Sequence, residues 1–153
     1  AVRTMAEVAE SAETTFVSQD LELRLGSDDD ERFAWAIAHA AVEAAEDLDA
    51  AAIVSVTVAG STPRRVAAHR PTVPIAALSG TSECLGALAL CWGVQPLRVE
   101  ESPESGDAGE EAERAVGAAR DAGVVSTGDL VVVVAGSPGP RAGATDFMRV
   151  MRA

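Results

Sequence analysis

The chain has 153 residues, 48% of them apolar and 24% charged, enough to bury one packed core and too apolar for a disordered chain. Acidic residues outnumber basic ones 24 to 12, and the resulting net charge of −12 argues against nucleic acid or an anionic membrane surface as a partner, since both need a basic face. All 12 basic residues are arginine, which excludes Schiff-base chemistry and a lysine-dependent phosphate loop, and no apolar run approaches the roughly 20 residues of a membrane-crossing helix.

Residues 1 to about 14 carry Val2, Met5, Val8 and Ala12 at helical spacing, an apolar stripe with no apolar neighbour in the stretch that follows. Residues 17–30 read as a linker that ends in three consecutive aspartates. These precede a helix expected from about Glu31 to Leu48, whose positive end they complement. Ala34, Ala38, Ala41, Ala45 and Leu48 form one face of that helix, small enough to pack closely on a sheet. Next come a strand over 52–57, a short helix over 60–69, a strand over 74–78 and a helix over 81–92 stopped by Gly93. They are followed by a strand over 95–99, an acidic loop over 100–109, a helix over about 110–122 and strands over 130–135 and 147–151. Alternation of this kind implies a mostly parallel sheet covered on both faces, with right-handed crossovers. The last strand follows the fourth through about ten residues without helical pattern, too few for a parallel crossover, so it is expected to be antiparallel and at an edge. The two cysteines, Cys84 and Cys91, form no CxxC pair and are expected as small core residues on one helix.

Ligands of open α/β sheets bind beyond the carboxyl ends of strands, where connections diverge. Two loops there stand out. The first runs over 57–65: Thr57, Ser61 and Thr62 offer hydroxyls, Gly60 permits close backbone approach, and the free amides of a helix start, with Arg64 or Arg65, suit an anion. The second runs over 136–143, with Gly136, Arg141 and Gly143. If the first and fourth strands are neighbours, the loops frame one phosphate-sized pocket; the same residues also make ordinary turns. His39 and Glu43 share a helix face and are expected as a surface pair rather than metal ligands, and the carboxylate clusters as solvated faces. No nucleophile–base pair or cofactor fingerprint is present, so no catalytic residue and no metal site is assigned.

Several runs resemble the pyruvate kinase C-terminal domain. Ala36-Ile37-Ala38-His39-Ala40-Ala41-Val42-Glu43 resembles its opening helix. Arg70-Pro71 with Val73-Pro74-Ile75-Ala76-Ala77 is similar to its "RP…PI.A" segment, and Leu88-Ala89-Leu90-Cys91-Trp92-Gly93-Val94-Gln95-Pro96 to "LAL.WGV.P". Gly128-Asp129-Leu130-Val131-Val132 through Ala135-Gly136, then Gly143-Ala144-Thr145-Asp146, resembles "GDLVV..AG…G.TN". The resemblance implies a three-layer αβα domain over 31–153 with a five-stranded mixed sheet of order 3-2-1-4-5, the last strand antiparallel. It also implies that residues 1–16 are the helix closing a catalytic barrel, that 17–30 is a linker, and that the chain is a piece of a longer one. The implied parent is a cytoplasmic homotetramer of glycolysis that transfers a phosphoryl group from phosphoenolpyruvate to ADP with Mg2+ and K+. Its catalytic residues lie in the barrel, and a phosphorylated allosteric effector is held by Thr57, Gly60, Ser61, Thr62, Arg64, Gly136, Arg141 and Gly143. A stand-alone effector-binding or structural interaction module of the same fold is the alternative.

The pattern departs from the family in two places. Ala59 stands where the family's effector loop, T-x-S-G, has a serine, which removes one hydroxyl. The region over 100–113 that should supply a basic group for a second phosphate is acidic, with Arg114 at its far end. Like charge there disfavours a bisphosphate and leaves a monophosphate, such as a sugar phosphate or AMP, or no effector at all.

Overall fold

The computed structural model describes residues 1–13, 29–99, 107–136 and 145–153. The expected linker over 17–30, the acidic loop over 100–109 and the loop over 136–143 therefore lie mostly outside the described residues. Among the described residues the element order is α1 (Val2–Glu13), α2 (Asp29–Asp47), β1 (Ala52–Val56), α3 (Ser61–Ala68), β2 (Ile75–Ser79), α4 (Ser82–Leu88), β3 (Val94–Arg98), α5 (Ala108–Asp121), β4 (Leu130–Ala135) and β5 (Phe147–Arg152). In α1 the stripe of Val2, Met5 and Val8 is exposed by 82%, 71% and 64%.

The strands form one sheet of order β3-β2-β1-β4-β5, with β4 and β5 antiparallel and the other pairs parallel, as the sequence and its resemblance imply. Successive side chains of a strand point to opposite faces. Ile53, Ile75, Ala77, Val132 and Val134 therefore pack against α2, α3 and α4, while Ala52, Val54, Ala76, Leu78, Val131 and Val133 pack against α5. The helices thus make two outer layers. The crossovers through α3 and α4 step outward from β1 to β3, whereas the one through α5 jumps back to β4. Right-handed crossovers of opposite direction place their helices on opposite faces, which is the observed split. Pro96 lies on β3, an edge strand, where a missing ladder donor is tolerated.

Three expectations are corrected. The second helix begins earlier than expected: Asp29 and Asp30, with Glu31, form its first turn, where their charge complements the positive dipole end as expected. Leu48 does not continue the alanine face but is 47% exposed. The chain leaves α2 through Asp49 at φ 48, with Ala50 N–H donating to the Ala45 carbonyl and Asp49 N–H to that of Glu46, so Leu48 swings outward while Ala50 turns in. Finally, α4 stops at Leu88 rather than running to Trp92, which takes Cys91 off the helix. Ala89 to Gly93 instead form tight turns, with Leu90 almost fully exposed and Gly93 at φ +62. Four further helical residues would advance the chain by about 6 Å, past the position where Val94 must meet Ile75. Cys84 is buried and Cys91 packs beside the same core, consistent with small core residues.

Ala34, Ala38, Ala41 and Ala45 are buried under α2, so the helix approaches the sheet closely. Ala41→Leu is expected to destabilise the domain by about 1–3 kcal/mol through overpacking, and Ala36→Leu, at an exposed position, by less than about 0.5 kcal/mol. Urea denaturation of both variants measures the difference.

Candidate functional site

β1 and β4 are parallel neighbours, with Ser55 opposite Val134, so the segments that follow them leave from the same carboxyl edge. They lie where the crossover direction reverses, the switch point at which such sheets open a crevice. The first segment is described in full. The second is described only at Gly136, half-buried at the strand end; Arg141 and Gly143 lie outside the described residues.

Thr57 is buried and its Oγ1 accepts the Gly60 N–H at 2.9 Å, closing a tight turn. Gly60 then takes the left-handed conformation, φ 82 and ψ 9, at the N-cap of α3. A Cβ at this position would stand 3.3 Å from both Cys84 Sγ and Leu88 Cδ2. Glycine is therefore required here by backbone conformation and by the packing of α4, whatever approaches from outside. The first helical hydrogen bond runs from Arg64 N–H to the Gly60 carbonyl. The Ser61 and Thr62 amides are thus the first-turn donors that lack intrahelical acceptors, and Pro63 has no N–H to add.

The expected residues divide into two groups. Thr57, Gly60, Ser61 and Thr62 are brought together in one turn, with Gly136 at the end of the adjacent strand. Arg64 is exposed one residue beyond Pro63, and Arg65 is half-buried. Thr62 has a partner that sequence reasoning missed: its Oγ1 lies 2.6 Å from Thr145 Oγ1, with both side chains buried. The signal available was a hydroxyl residue just ahead of an apolar strand. At the same sheet edge Arg98, the last residue of β3, donates to Ser82 Oγ at 2.6 Å.

His39 and Glu43 are exposed on α2, but they do not stand alone. His39 meets the ring of His69, the C-cap residue of α3, at 5.3 Å, and Trp35 meets it edge-on at 5.8 Å. Among the described residues no three His, Cys, Asp or Glu side chains gather as a metal ion requires. No helix among them is long and apolar enough to cross a membrane.

Two runs of the family pattern meet in space: the Arg70 guanidinium lies 4.5 Å over the Trp92 ring. A third is tied to the chain's last residues, because Gly128 N–H donates to the Ala153 carbonyl and Ala153 N–H to that of Asp129. Fold and edge together define a doubly wound α/β domain whose 57–65 turn lies at its switch point. Residues 35–151 match the family described as the pyruvate kinase alpha/beta domain. Pyruvate kinase from Geobacillus stearothermophilus is 37% identical over 150 residues, covering 98% of this chain and 25% of that protein. Pyruvate kinase from Clostridium acetobutylicum is 35% identical over 98% of this chain and 31% of its own length, and pyruvate kinase 2 of Synechocystis is 35% identical over 98% and 24%. The chain belongs to the pyruvate kinase α/β-domain family, and it spans about a quarter to a third of these relatives.

Burial first, and then the neighbouring His39, hold the His69 imidazole below its ordinary value of 6.5, with Glu43 acting in the opposite sense. As pH falls, the unfolded chain takes up this proton first. The associated stability is therefore present above pH 6.5 and is lost as pH drops through the lowered folded value. The melting-temperature gap between the wild type and His69→Gln is expected to narrow on acidification through this range; a gap independent of pH would contradict the assignment.

Proposed function

We propose that this chain is the C-terminal regulatory and assembly domain of a cytoplasmic pyruvate kinase of glycolysis. The parent enzyme would transfer a phosphoryl group from phosphoenolpyruvate to ADP and work as a homotetramer. In this reading α1 is the helix that closes the catalytic barrel, and its exposed apolar stripe is the face that the barrel would cover. The barrel would carry the catalytic residues and the Mg2+ and K+ sites; neither ion is given a ligand within this chain.

The regulatory role proposed is to hold a phosphorylated metabolite between the 57–65 and 136–143 loops. The observation that carries it is the turn at the end of β1, next to β4: a left-handed Gly60 leads directly into α3 and leaves the Ser61 and Thr62 amides at its positive end. Ser61 Oγ can add a donor, Thr57 keeps its own hydroxyl hydrogen while accepting from Gly60, and Arg64 supplies charge.

The charge of the effector follows from what surrounds a second phosphate in the family arrangement. The first turn of α5 carries Glu110 and Glu111, with Asp107 ahead of it and Glu113 after it. Each such carboxylate would repel a second phosphate, more strongly in a partly desolvated site than in bulk water. These carboxylates disfavour a bisphosphate, offset in part by the Arg149 guanidinium beside Gly109, so the ligand in this reading is a monophosphate such as a sugar monophosphate or AMP, or there is no effector at all. A purely structural interaction module of the same fold is the competing reading. It is favoured by the loss of the serine hydroxyl at Ala59 and by the internal use of the Thr57 and Thr62 hydroxyls.

Isothermal titration with glucose 6-phosphate, AMP and fructose 1,6-bisphosphate separates these readings. A monophosphate is expected to bind at least about tenfold more tightly than the bisphosphate, the equivalent of about 1.4 kcal/mol, and Arg64→Ala is expected to weaken it. Tighter bisphosphate binding would refute the charge argument, and silence with every ligand would leave the structural module.

A further inference from the structure

We infer that the Thr62–Thr145 hydrogen bond is the clasp that fixes the first turn of α3 across the switch point, and that Thr145 is a positioning residue for the proposed anion cradle. The consequence for ligand binding rests on the reading of the 57–65 turn given above; the clasp itself does not.

The turn is held from two other directions. Thr57 Oγ1 accepts Gly60 N–H from within the turn, and Gly60 rests against Cys84 and Leu88 of α4. Both restraints belong to the β1 side. The Thr62–Thr145 bond comes from the other side, joining residues 83 apart in sequence. Thr145 is itself anchored, because the next residue, Asp146, donates its N–H to the carbonyl of Ala135, the last residue of β4. A continuous path thus runs from the end of β4 through Asp146 and Thr145 to Thr62, the second residue of α3.

The chemistry makes this contact directional. At 2.6 Å the bond lies at the short end of the hydroxyl range. Thr145 is fully buried and Thr62 nearly so, so a rotation that separated the oxygens would leave buried hydroxyls without partners. Both side chains are short and both hydroxyls are buried, so keeping the bond restrains the two backbones and not merely two side chains. The amides next to Thr62 are those that would face an anion, and their orientation is set by where the clasp holds the turn.

The test uses the 153-residue chain as wild type, Thr145→Ser, Thr145→Val and Thr62→Val/Thr145→Val, with two readouts. Amide hydrogen exchange across Arg64 to Ala67 reports the clasp directly. It is expected to quicken at least about tenfold in Thr145→Val and to stay near wild type in Thr145→Ser, which keeps the hydroxyl. Unchanged exchange in Thr145→Val overturns the inference. Should that variant fail to fold, the double variant gives the same readout, because its two methyl groups replace both hydroxyls and leave neither unpaired. Titration with inorganic phosphate reports the cradle. Affinity is expected to fall about tenfold in Thr145→Val and to be retained in Thr145→Ser; equal affinity in the two overturns the positioning role. If the wild type binds no phosphate while the exchange pattern holds, the anion reading of the turn fails, Thr145 loses its positioning role and the clasp alone stands.

Discussion

The pairing of β1 with β4 is the constraint on which the rest of this domain depends. β1 lies at the centre of the sheet, with Ala52, Ile53, Val54 and Ser55 all fully buried. A strand with no solvent face must find partners on both edges and helices on both faces. β2 satisfies one edge through a short crossover; β4 can satisfy the other only after the chain has passed β3 and returned. That return puts α5 on the second face, the only helix there among the described residues, and creates the switch point where the 57–65 turn opens. Ser55 adds a small anomaly at the same place, since its hydroxyl is buried in β1 without a hydrogen-bond partner among the described residues.

Among the described residues most buried polar side chains gather at the carboxyl edge of the sheet, with His69 at the far end of α3 the exception. Thr57, Thr62 and Thr145 are linked to the turn at the end of β1, and Ser79 lies at the end of β2. A hydroxyl taken out of water usually finds a partner: Thr57 and Ser79 find theirs within their own turns, and Thr62 and Thr145 find each other across the edge. The same residue types that suit an anion therefore also hold the edge together. This explains why composition alone cannot separate a ligand site from a well-made corner.

Local pattern made much of the architecture legible. The run Leu130 to Ala135 is a strand because six consecutive apolar residues, four of them valine, suit burial on both faces. The alanine spacing of α2 gave its buried face, and Gly123 marked the end of α5, where it adopts φ +74. Legibility failed where one element's end is fixed by another's position. Leu88 to Gly93 carries a helical pattern, yet the helix yields because β3 must begin beside β2. Leu48 fits the periodicity of α2 but lies beyond a helix end closed by the left-handed Asp49. In the candidate site, Thr57 to Thr62 are legible as a turn of small polar residues opening a helix, whereas Thr145 shows only as part of a family pattern and as a hydroxyl just ahead of β5.

The alternation of strands and helices, the buried faces, the antiparallel last strand and the excess of negative charge are written locally, because each follows from spacing and composition within a short window. Only the packing of separate segments brings Thr62 to Thr145, His69 to His39 and Trp35, Arg70 over Trp92 and α4 behind Gly60. Each of these pairs joins residues distant in the chain, and their proximity is set by strand order and register, which no local window encodes.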